Sequence, residues 1–156
     1  MKYRPESLDD AIRLRKQHPD LSLSFSEAEA PDNCILLTAL PEIDLCFEDH
    51  GQFIFGLNLS LEKMLDYLED RDAELRDHLL QLAENQTPGT TLGARLFDQD
   101  KLVDIFLVLE ECNALLKTFN GSSGRMVAFN LLLTENQNIE FVPGELPLLI
   151  MIPKDS

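Results

Sequence analysis

Leucine recurs at Leu61, Leu65, Leu68, Leu75, Leu79 and Leu82, and this spacing puts the six side chains on one face of a helix. No other feature limits the fold so strongly, because the flanking segments change period. Leu21, Leu23 and Phe25 alternate with Ser22, Ser24 and Ser26, and Ile43, Leu45 and Phe47 alternate with Asp44, Cys46 and Glu48. Such alternation belongs to strands with one buried face. Asp49-His50-Gly51 supplies a turn before an apolar return at 52–59, which predicts a hairpin. A short helix is expected over 7–17, with Ser7 as cap and Pro19 as stop. A dense apolar strand follows at 34–40, so the first third reads as a helix and about four antiparallel strands.

The leucine helix is expected over 60–85, opened by Ser60. Asp72 falls on its apolar face, where pairing with Arg76 one turn on would hold it at the edge of the core. After a loop at 86–95, a second helix is expected at 99–119. It is apolar nearly all round, as suits the middle of a core, although the β-branched residues of 99–108 also suit a strand. A hairpin of 126–133 with 139–142, turning at 135–138, precedes a terminal edge strand at 146–152 that carries Pro147. Helices and strands come in runs, which predicts the α+β class. The reading is a single domain over 1–156: antiparallel sheet, a short N-terminal helix and two longer central helices.

A chain of 156 residues buries enough surface to fold without disulfides or metal. Cys34, Cys46 and Cys112 form no CxxC pair and sit among apolar neighbours, so three free, partly buried thiols are expected. No apolar run approaches the ~18 residues of a membrane span, and residues 1–14 lack the apolar centre of a secretory signal. A cytoplasmic location is expected.

Charge is the unusual quantity. The 28 Asp and Glu outnumber the 13 Lys and Arg, giving a formal net charge of −15, beyond the ~2–8 units usual for a small soluble domain. Neither nucleic acid nor an anionic membrane is expected as a partner, because both bind basic patches. No Lys or Arg lies between Lys16 and Lys63, a span that includes Glu48 and Asp49. On the leucine helix, Glu62, Asp66, Asp70 and Glu74 stand at successive i,i+4 positions, with Glu69 and Asp77 extending the arc. Each like-charged pair at that spacing costs about 0.2–0.5 kcal/mol, so the row needs a reason other than folding.

Motifs for chemistry are absent. His18, His50 and His78 lie in no zinc-binding spacing. Asp98, Asp100 and Asp104 lack the central Gly and terminal Glu of a calcium loop. The loop at 120–125 lacks the Lys and the strand-to-helix setting of a phosphate-binding loop. No catalytic residue, cofactor or metal is expected. The expected function is that of a non-enzymatic acidic protein-binding module, an inhibitor of the bacterial immunity type that neutralises a basic partner such as a toxin. Glu48, Asp49, Glu62, Asp66, Glu69, Asp70, Glu74 and Asp77 would form the binding face. Two alternatives stand beside it. One is an acidic chaperone or adaptor for a secreted effector, for which a homodimer is allowed. The other is a small enzyme with an Asp/Glu site that no motif marks.

Overall fold

The computed structural model describes residues 2–27, 30–98, 102–129 and 144–154. The chain runs through β1 (Lys2–Tyr3), α1 (Leu8–Gln17), β2 (Ser22–Ser24), β3 (Cys34–Leu36), a 3-10 turn (Pro41–Ile43), β4 (Cys46–Asp49) and β5 (Gln52–Gly56). Then come α2 (Leu61–Glu69), α3 (Ala73–Ala83), α4 (Leu92–Phe97), α5 (Leu102–Glu111), β6 (Leu115–Phe119), β7 (Gly124–Ala128) and β8 (Leu146–Pro153). A three-stranded sheet has the order β1-β3-β2, and a five-stranded sheet the order β4-β5-β8-β6-β7. The α+β class therefore holds. Among the described residues, no helix is long and apolar enough to cross a membrane.

Local chemistry explains the elements that match expectation. Ser7 accepts from the Asp10 amide at the start of α1, and Ser60 from the Lys63 amide at the start of α2. His50 and Gly51 both take positive φ, 51° and 78°. This is the two-residue turn whose twist suits a tight hairpin, and it joins Asp49 to Gln52 in register.

Six expectations are corrected. The strands β2 and β3 pair in parallel, as do β1 and β3, so the first third is not an antiparallel run. The leucine helix is two helices. Asp72 leaves helical geometry (φ −156°, ψ 87°) and caps α3 by accepting from the Leu75 amide at 3.0 Å. Its place among the leucines is that of an N-cap, and no ion pair with Arg76 is needed to keep it there. The 99–119 helix ends at Glu111, because Asn113 takes φ 59° and turns the chain into β6. Residues 115–119 then alternate as a strand, with Leu116 and Thr118 buried and Lys117 exposed. β7 pairs with β6 across the 120–123 turn instead of with 139–142, and residues 130–143 lie outside the described residues. Further, β8 is no edge strand: it is central, between β5 and β6. The missing amide of Pro147 is tolerated because Pro147 lies opposite Thr118, where the β6–β8 register shifts. Residues 92–97, expected partly as loop, form α4 under a Thr91 cap.

One hydrophobic cluster joins both sheets and the helices. Phe53 and Phe55 stack at 6.2 Å between centroids, and each meets the Tyr67 ring of α2 edge-on. The helices thus cover the face of the five-stranded sheet that carries Phe53, Phe55, Leu116, Val127, Ile150 and Ile152.

Candidate partner-binding surface

The eight carboxylates singled out in sequence do not make one row. Glu62, Asp66 and Glu69 lie on α2, Asp70 is its C-cap, and Glu74 and Asp77 lie on α3. The non-helical Asp72 separates Asp70 from Glu74, so the i,i+4 ladder stops there. Several of the acids have local duties. Both Glu62 oxygens accept from the Gly89 amide, at 3.1 and 3.2 Å, tying the loop before α4 to α2. Glu48 lies 2.7 Å from the Lys154 ammonium and 3.4 Å from Arg71 Nε. Glu74 sits in the first turn of α3, where the helix dipole favours an anion. Asp49 lies 2.7 Å from His50 Nδ1, and Asp77 only 3.8 Å from Arg76.

Inside the fold, polar groups serve structure. The Glu145 carboxylate, 6% exposed, receives both Nε and Nη2 of Arg125, at 2.6 and 2.7 Å, and the Thr118 hydroxyl at 2.6 Å. The hydrogen bond to Glu145 holds the Arg125 pKa above its ordinary value. Arg15 donates to the main-chain oxygens of Glu145 and Leu21, at 3.3 and 2.9 Å, joining α1 to both sheets. Burial lowers its pKa, and the Glu145 charge partly offsets this. The guanidinium borders a cleft of about 280 Å³ with Leu23, Phe25, Phe97 and Pro147. A second cleft, about 240 Å³, gathers Asp72, Glu74, His78, Glu111 and Cys112. There the His78 Nε2–H donates to the Val108 carbonyl at 2.7 Å, so that nitrogen is already engaged.

The outer face of the five-stranded sheet is different. Register places Phe47, Ile54, Met151, Leu115 and Ala128 in one row across all five strands. Leu149, Lys117 and Met126 form a second row. None of these belongs to the hydrophobic cluster or packs against it. Phe47 is 42% and Met126 49% exposed, while Ile54, flanked by Phe47 and Met151, is 7% exposed. An antiparallel sheet with one face in water normally turns polar residues outward. This one turns out an apolar field around Lys117, with Asp49 and Gln52 at one end. Sequence reasoning passed over it, although the unbroken apolar run 146–152 is the signature of a strand apolar on both faces.

No protein-family model matches the sequence, and no curated protein matches it. Solved structures do share the fold. A chain of Cu,Mo-CO dehydrogenase in its cyanide-inactivated form superposes with a TM-score of 0.80 at 19% identity, over 99% of this chain. Reconstituted CO dehydrogenase from Oligotropha carboxidovorans gives 0.81 at 19%, and quinoline 2-oxidoreductase from Pseudomonas putida 86 gives 0.74 at 15%. The chain spans 59% of the length of each of these chains, and at such identities the likeness is one of fold.

Copper and molybdenum, which the first of these proteins carries in its name, find no fitting donor set among the described residues. Among the described residues no three His, Cys, Asp or Glu side chains group to hold a metal. The thiols stand apart on β3, on β4 and just beyond α5, where the Cys112 Sγ–H donates to the Leu109 carbonyl at 3.3 Å. The expected basic, toxin-like partner is overturned. The solved structures named above are oxidoreductase chains, and the acidic row that argued for a basic partner is broken at Asp72.

Proposed function

We propose that this chain is a non-catalytic, protein-binding component of an oxidoreductase assembly. One observation carries the reading: the fold is shared over 99% of the chain with chains of CO dehydrogenase and quinoline 2-oxidoreductase. This chain spans 59% of the length of those chains. The described side chains favour binding over chemistry. Glu145 and Arg15 are engaged in holding elements together, while the outer sheet face leaves Phe47 and Met126 exposed among the described residues.

Native purification through an affinity tag from the cell that makes the protein tests this. The expected result is an oxidoreductase chain co-eluting at fixed stoichiometry, with dye-linked dehydrogenase activity following the complex and none following the isolated domain. Dye reduction by the isolated domain, or a stoichiometric partner with no redox activity, would overturn it.

A further inference from the structure

We infer that the outer face of the five-stranded sheet is the docking surface, and that its occupant is an apolar face of a partner chain bearing a carboxylate that meets Lys117. The inference rests on the assembly reading for the partner's class, and on geometry for the surface. Phe47, Ile54, Met151, Leu115 and Ala128 cross the sheet in one row, with Leu149 and Met126 on either side of Lys117 in the next. Eight positions, about 4.8 Å apart between strands and about 6.7 Å apart between rows, make a field on the order of 250 Å². Soluble monomers rarely expose contiguous apolar fields larger than a few hundred Å², and the largest such field is often functional.

The chemistry of the occupant follows from Lys117. It is exposed and makes no ion pair among the described residues. An apolar partner laid over it without a counter-charge would bury a bare ammonium, which is prohibitive. The matching surface therefore carries an Asp or Glu at that point. A second copy fits poorly. The field falls short of the roughly 800 Å² per side of a stable interface, and stacking would bring together two chains of net charge −15. A larger partner can extend beyond the sheet and make up the area.

The test uses the tagged chain with its co-purified partner. Zero-length carbodiimide cross-linking, mapped by mass spectrometry, should join Lys117 to a partner Asp or Glu. Lys117→Glu and Met126→Glu should each weaken binding by about tenfold or more. Changing the cross-linked acid to Lys should restore binding to Lys117→Glu. Leu107→Ser, at an exposed leucine of α5, should bind as wild type, and melting curves should show all variants folded. An oxidoreductase partner held equally well by both sheet variants would overturn the docking surface and leave the assembly reading intact. A non-redox partner lost in both variants would do the reverse. A wild-type dimer in sedimentation, dissolved by the same two changes, would show a second copy as the occupant and overturn the inference.

Discussion

Cys34 lies on the central strand of the small sheet with no exposed surface, and burial pushes its thiol pKa up, with Lys2 pulling the other way. Cys46 on β4 is raised as well, again chiefly by burial. Reactivity follows the thiolate, so in the folded protein Cys34 should resist a disulfide reagent at pH 8 and react fully once urea unfolds the chain. Labelling of native Cys34 at the rate of a free thiol would contradict this. The same shift bears on stability. Below the unfolded thiol's value of about 8.5, both states keep the proton and the stabilisation is complete. Above it the unfolded chain releases the proton first, so stability falls as pH rises toward the folded value. Between pH 7 and 9.5 the urea midpoint should therefore drop more for wild type than for Cys34→Ala. The burial of Cys34 was legible in sequence, because it stood among apolar neighbours, while Cys46 and Cys112 are half-buried.

Two helices meet where one was expected, and the reason lies in Asp72. Period alone cannot distinguish a polar interruption of an apolar face from a break followed by a new helix in similar phase. The deciding facts are the hydrogen bond from the Leu75 amide and the Arg71 side chain, which donates to the Tyr67 carbonyl at 2.8 Å and stacks on its ring at 3.9 Å. Arg71 thereby satisfies the end of α2 while Asp72 opens α3. Asp72→Ala should cost about 1 kcal/mol, within the range of roughly 0.5–2 for lost caps, and Asp72→Ser should recover most of it. Equal melting temperatures for wild type and Asp72→Ala would show that the cap is idle. The other misread elements share a cause: tertiary neighbours decided them. Residues 115–119 are apolar enough to prolong α5, and only Asn113 in the left-handed region and pairing with β7 and β8 make them a strand. Pro147 suggested an edge because the register shift that accommodates it is a property of the β6–β8 pair, which no single segment displays. The β4–β5 hairpin was readable from its local turn residues, but its alternation pointed the wrong way: Phe47 faces outward at 42% exposure and Cys46 packs against the core.

Across the whole molecule, high net charge and an open apolar face act against each other. At neutral pH a formal charge of −15 keeps copies apart. The sequence pI is near 4.4, and there the repulsion vanishes while the apolar field remains. Light scattering from the isolated, still-folded domain should therefore rise sharply as pH approaches 4.4, with circular dichroism confirming that the helices persist. Raising salt at pH 7 should move partway in the same direction, since the screening length shrinks to about 3 Å at 1 M. Replacing both Phe47 and Met126 with Ser leaves the net charge unchanged and removes the two most exposed apolar side chains of the face. If that face drives association, the double variant should stay dispersed where wild type scatters. If the acids govern solubility by themselves, both proteins should scatter alike at 4.4, and the sheet face would have no part in holding copies together.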